Sequence, residues 1–161
     1  MGNLFDVREI LEFAVYIEQN GYEFYTETLK KFSDPQFVGL FQYLAGEEIK
    51  HEQLFKKMAD AAGSFEPEET YEGEYKDYMQ EFCKSHSLAD RQTLKSKVAN
   101  IHIFEDAIEM ALSFEKDSVI FFSELKSATG FDRAGSVEKV INEELTHIRK
   151  LLLYKKNLRS A

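Results

Sequence analysis

Four apolar stripes run through this chain at helical spacing, and each is broken near its middle by a polar group that an ordinary core does not tolerate. In the first and third stripes the interruption is one glutamate, Glu18 and Glu115. In the second and fourth it is a glutamate and a histidine three residues apart, Glu48 with His51 and Glu144 with His147. Positions three apart on a helix share a face, so each pair can aim a carboxylate and an imidazole at one place. The placement repeats: 30 positions separate Glu18 from Glu48, 29 separate Glu115 from Glu144, and Glu-Glu-x-x-His occurs in both halves. The chain reads as two copies of a helical hairpin.

The stripes predict helices over about 6–31, 35–62, 101–129 and 132–158. Asp34 and Pro35 are a cap and a first-turn proline for the second helix, and Gly63 and Gly130 are natural stops. No proline follows Pro67, which favours helix through the rest of the chain. Short links make helices one and two antiparallel neighbours, and likewise three and four. The polar stretch 63–100 between the pairs is too long for a structureless loop in a compact domain. It predicts a crossover with short helices at Tyr75–Lys84 and Leu88–Val98, the second capped by Ser87. All 161 residues thus form one all-α domain, a four-helix bundle of two antiparallel pairs joined by a long crossover, the ferritin-like arrangement.

Four carboxylates meeting inside such a bundle repel one another, and burying each charge costs several kcal/mol (roughly) unless something compensates. Two divalent cations balance them. By position Glu48 and Glu144 are the bridging ligands, Glu18 with His51 completes one metal, and Glu115 with His147 completes the other. Mixed carboxylate and imidazole ligands suit iron first, with manganese and zinc as alternatives. One Glu-x-x-His carries little information in a chain so rich in glutamate. Two of them, each preceded at matching spacing by a glutamate on an apolar stripe, point to a dinuclear site. The competing reading is a helical interaction module whose site is vestigial.

Other functions are excluded or demoted on simple grounds. A net charge of −9 argues against gripping nucleic-acid phosphates, and no apolar run reaches membrane-spanning length. With Cys83 as the sole cysteine there is no disulfide framework and no cysteine-only metal site; a soluble protein of the reducing cytoplasm is expected. Cys83 reads as an inert thiol, and His86 and His102 as packing or surface histidines. Glu47 and Glu143 lie about 100° round the helix from the stripe and are expected to face solvent or basic neighbours. Tyr25, two turns beyond Glu18 on the same face, is core packing or a hydrogen-bond donor to a ligand carboxylate. The tail of 14 residues after His147 leaves little room for a fifth helix, so a homodimer is expected rather than a cage.

The order Glu, Glu-x-x-His, Glu, Glu-x-x-His resembles the ferritin-like di-iron carboxylate proteins. The strings Glu18-Gln-Asn-Gly-Tyr-Glu-Phe-Tyr25 and Phe114-Glu-Lys-Asp-Ser-Val-Ile-Phe-Phe122 are similar to those of the rubrerythrin group. The resemblance implies a non-haem di-iron centre that reacts with hydrogen peroxide or oxygen and is re-reduced by an external electron donor. Rubrerythrins often carry their own rubredoxin-like domain with paired cysteines. Here the donor is expected to be a separate rubredoxin-type protein. Two departures from the group, Ser118 where an extra glutamate is common and His147 at the last ligand position, make the site more symmetric. They bring in a ferroxidase or iron-binding protein without substrate turnover as the alternative.

Overall fold

The computed structural model describes residues 5–129 and 135–160. It contains six helices: α1 (Val7–Leu29), α2 (Pro35–Asp60), α3 (Glu74–Lys84), α4 (Arg91–Ala99), α5 (Phe104–Thr129) and α6 (Ser136–Ser160). A two-residue antiparallel pairing of β1 (Phe5–Asp6) with β2 (Ser64–Phe65) ties the start of α1 to the chain just past α2.

Each boundary has a local cause. Asp6 caps α1, accepting from the Arg8 amide at 2.8 Å, and Asp34 caps α2 by accepting from Phe37 at 2.9 Å, with Pro35 beside it. α2 stops at Asp60, short of the stop expected at Gly63, because the chain there turns to pair with β1 and the Gly63 carbonyl accepts from Val7. Ser87 does not cap α4: its amide donates to Asp117, and Asp90 is the cap, accepting from Gln92 at 2.9 Å and from the Thr93 hydroxyl at 2.6 Å. α5 begins at Phe104 rather than Ile101. The buried Ile101 belongs to the link from α4, where Lys31 donates to the Ala99 and Ile101 carbonyls at 3.2 Å each. The expected start of the last helix near Asp132, and the stop at Gly130, fall outside the described residues.

Side-chain neighbours give the helix directions. The start of α1 meets the end of α2 through the β pairing, so this pair is antiparallel. In the other pair, Lys126 near the end of α5 bridges Glu138 near the start of α6, while Glu109 bridges Lys155. α2 and α5 run the same way: Phe37 packs on Phe104 (ring centroids 5.2 Å apart) and Phe55 on Phe122 (4.8 Å). Parallel helices adjacent in sequence require a connection that travels the length of the bundle. The segment 61–103, with α3 and α4 inside it, makes that journey. It is anchored by Met79, Leu88, Leu94 and Val98, all buried.

The core is rich in aromatic rings on both sides of the bundle's midpoint, with Phe55 and Phe122 on one side and a cluster around Tyr25 on the other. Phe24, Phe41 and Phe114 each meet Tyr25 edge-on, at 5.2, 5.0 and 5.1 Å. Tyr22 falls four residues after Glu18, at the spacing expected of the α1 inner stripe, yet it is 41% exposed, and the buried face runs through Gly21 and Phe24 beside it.

Candidate metal centre

The four long helices bring Glu18 (α1), Glu48 and His51 (α2), Glu115 (α5), and Glu144 and His147 (α6) together in the bundle interior. None is more than 4% exposed. Their donor atoms form two overlapping groups whose members lie within 4.8 Å of one another: Glu18, Glu48, His51 and Glu144, and Glu48, Glu115, Glu144 and His147. Glu48 and Glu144 belong to both. The Glu-x-x-His spacing works as helical geometry requires, the carboxylate and imidazole of α6 lying 3.3 Å apart.

The electrostatics show what the cluster lacks. Burial, then the charges of Glu18 and Glu144, push the Glu48 carboxyl well above the usual carboxylate range; burial and Glu144 do the same to Glu115. At His51 burial opposes the charged ring, but the carboxylates of Glu144 and Glu18 outweigh it and push the imidazole up to about 12. At His147 burial is likewise outweighed, by Glu115 and Glu144, and its value rises to about 10. Glu144 is pulled below the usual range: burial would raise it, but its close polar contacts with Glu115, His147 and His51 prevail. Without cations, Glu48, Glu115, His51 and His147 are pushed toward their protonated forms, and two metal ions would replace those protons.

Hydrogen bonding alone does not satisfy the cluster. Nδ1 of His51 lies 2.9 Å from Oε1 of Glu144 and 3.6 Å from Oε2 of Glu18, yet none of these atoms makes a directed hydrogen bond. Both oxygens of Glu18 are buried without a partner. A buried unpaired polar atom costs ~1–3 kcal/mol, more when charged, so clusters of them in a close-packed interior need an explanation. Lone pairs converging from carboxylates and imidazoles fit a pair of divalent metal ions. Glu18, Glu48, His51 and Glu144 would hold one, Glu48, Glu115, Glu144 and His147 the other.

A surrounding layer fixes these side chains. Tyr25 donates to Oε1 of Glu115 at 2.5 Å, and burial together with the neighbouring carboxylates holds its phenol well above the usual value, so it keeps its proton. Nε2 of His51 meets Oε2 of Glu143 at 2.9 Å. Glu143 is therefore not simply solvent-facing; the 100° offset that sets it off the stripe aims it across at α2. Glu47 does take a basic neighbour, Lys50, at 2.5 Å. Gly21 gives Glu48 room: a Cβ there would stand 3.1 Å from the Glu48 carboxyl carbon. These supporting roles left little sequence signal, because Gly21 and Glu143 break no pattern.

The crossover reaches the same layer. Nδ1 of His86 accepts from the Leu88 amide at 3.0 Å, so Nε2 carries the hydrogen and faces the Ser118 hydroxyl at 3.1 Å. Burial pushes His86 down to about 4 against the pull of Asp117 and Glu144. The buried Asn20, two residues past Glu18, donates to the Leu88 carbonyl at 2.7 Å and accepts from Arg91 at 3.1 Å. Cys83 is half-buried, its thiol pushed up to about 11 by burial, and so stays protonated at neutral pH. His102 is exposed. Among the described residues no helix is long and apolar enough to cross a membrane.

The model of the rubrerythrin family matches residues 9–155. No curated protein matches the chain. Among solved structures, the chain is similar to a protein from Thermotoga maritima described as a ferritin-like diiron-carboxylate protein. The likeness has a TM-score of 0.65 and 26% identity, over 97% of this chain and 98% of that one. With the buried Glu/His cluster, these matches support a di-iron site on a ferritin-like bundle.

Proposed function

The chain belongs to the rubrerythrin family, and on that premise we propose that it is a non-haem di-iron oxidoreductase that reduces hydrogen peroxide or oxygen with electrons from an external donor. The observation that carries this reading is the convergence of six buried ligand side chains, with Glu18, His51 and Glu144 holding unpaired atoms toward one another. Bound iron would supply the electrons and the Lewis acidity. The chain's own residues supply the rest. Four carboxylates offset four positive charges, so the loaded centre is close to neutral in a dry interior. The rings of Phe24, Phe41 and Phe114 around Tyr25 exclude water from the Glu115 side. Tyr25 holds the Glu115 carboxylate in place and keeps its own proton while doing so. Reducing peroxide to two waters takes two electrons and two protons. Cys83 is the sole cysteine of these 161 residues, too few for a cysteine-ligated iron centre among them, and the electrons are assigned to a rubredoxin-type partner.

A ferroxidase reading rests on one specific observation. One turn after Glu115 stands Ser118, bound to His86, so no fifth carboxylate enters the centre from this position of α5. Anaerobic loading with Fe(II), followed by peroxide with and without a rubredoxin-type donor, separates the readings. Two irons per chain and repeated donor-dependent turnover are expected. A single oxidation followed by continued iron uptake would favour the ferroxidase. Failure to bind iron would leave a helical module with a vestigial site.

A further inference from the structure

The two halves of the centre are not supported alike, and the difference traces to one pair of residues. Glu47 and Glu143 occupy the same place in the two Glu-Glu-x-x-His strings. Glu143 reaches across to the outer nitrogen of His51, Nε2 to Oε2 at 2.9 Å. By the internal repeat, Glu47 should do the same for His147. It does not: its carboxylate is taken by Lys50 at 2.5 Å, and Nε2 of His147 is buried with no hydrogen-bond partner. Three positions after Glu143 the repeat has Thr146 instead of lysine, and the Thr146 hydroxyl is turned to the Asn142 carbonyl at 3.0 Å. Lys139 reaches Glu143 only at 3.8 Å. Glu143 is therefore free to serve His51.

A carboxylate on the outer nitrogen of a histidine fixes the ring's tautomer and orientation, and losing such a partner typically costs ~10–100-fold in metal affinity. Resting on the dinuclear reading above, we propose that Glu143 is a positioning residue that holds His51 with Nδ1 toward Glu18 and Glu144, so that the His51 half of the centre fills with metal before the His147 half. Glu47, held by Lys50 and lying within 4.8 Å of His51 and Glu143, gives His147 no such support. Glu47 is buried but Lys50 stands in water, which screens the pair, so Lys50 shifts the balance between the halves modestly and Glu143 sets it.

The test is a Zn(II) titration of the metal-free full chain with 15N-labelled histidine, following the His51 and His147 ring nitrogens by NMR. In the unaltered chain the His51 signals are expected to move with the first equivalent and those of His147 with the second. Glu143→Gln is expected to lower the first-step affinity at least tenfold and remove the order. Lys50→Thr, at an exposed position that leaves the core untouched, is expected to strengthen the second step several-fold and narrow the gap. Simultaneous filling, His147 filling first, or an unchanged first step in Glu143→Gln would overturn the proposal while leaving the dinuclear site standing. If neither histidine responds to zinc in the unaltered chain, the dinuclear reading falls and this proposal with it.

Discussion

The hydroxyl of Tyr25 on α1 donates to Oε1 of Glu115 on α5 across 2.5 Å, joining the two hairpins of the bundle at the centre itself. Neither group is reachable by water. Burial and Glu144 keep Glu115 protonated in the metal-free protein, so the bond joins neutral groups, and its loss leaves a buried carboxyl oxygen unpaired at a cost of ~1–3 kcal/mol. Tyr25→Phe keeps the ring and its three edge-on aromatic contacts. The variant is expected to fold and to lose about 2 kcal/mol in urea unfolding of the metal-free protein. It should also bind the metal held by Glu115 and His147 more weakly than the other, and a stepwise zinc titration checks this.

Gly21 sets two effects against each other. Alanine inside a helix is favoured over glycine by about 1 kcal/mol. A Cβ at this position, however, meets the Glu48 carboxyl carbon at 3.1 Å and its Oε2 at 3.3 Å. The carboxylate can swing aside when no metal holds it, and cannot when it bridges two. Gly21→Ala is thus expected to leave the metal-free protein as stable as before or more so, while metal affinity falls about tenfold or further, the scale seen when the supports of a site are lost. Equal zinc affinity in the two proteins would show that Glu48 does not bridge.

How much of this was legible depended on whether a residue breaks a pattern. The six ligand candidates stand on stripes where leucine belongs, so spacing alone singles them out. The parallel run of α2 and α5 follows from the length of the crossover. What spacing could not show was partnership across helices. Glu143 and Glu47 occupy equivalent positions, and only the lysine three residues after Glu47 separates their roles. Ser87 is as good a cap in isolation as Asp90, but its amide is claimed by Asp117 of α5, a contact that no local rule foresees. Tyr22 fits the periodicity of α1 and still faces out, while its neighbour Gly21 is the residue that lies against Glu48.

The metal-free centre makes stability depend on pH in a stated direction. His51 and His147 hold protons up to about 12 and 10, against the usual 6.5. Their contribution is complete below pH 6.5 and is lost as pH rises toward those values. Glu48 and Glu115 are also raised, so their folded forms bind protons that the unfolded chain releases above about 4.5. That too erodes stability as pH rises. Glu144 is lowered and contributes the reverse, a loss only in acid. The melting temperature of the metal-free protein is expected to be highest in mild acid and to fall steadily from pH 6.5 to 9. Zinc displaces these protons, so the loaded protein should not show that fall. Calorimetry of both forms across the range is the check, and a metal-free protein that gains stability toward pH 9 would contradict the cluster's geometry.

His86 titrates in the opposite sense and can be isolated by substitution. Burial holds it near 4 while the unfolded chain takes up the proton at about 6.5, so stability falls as pH drops through that window. Between pH 7.5 and 5 the loss assigned to this residue is about 2 kcal/mol, since each unit of pH within the window is worth about 1.4 kcal/mol. His86→Asn places an amide oxygen where Nδ1 accepts from Leu88 and carries no titrating proton. The variant is expected to be less stable at pH 7.5, because the Ser118 contact is gone, but to lose about 2 kcal/mol less than the unaltered chain on going to pH 5. Urea unfolding at the two pH values measures both quantities. Groups remote from His86 titrate equally in the two proteins, so the difference between them reports His86 together with its neighbours Asp117 and Glu144. Parallel losses in the two proteins would mean that the crossover opens, and His86 is hydrated, before the bundle unfolds.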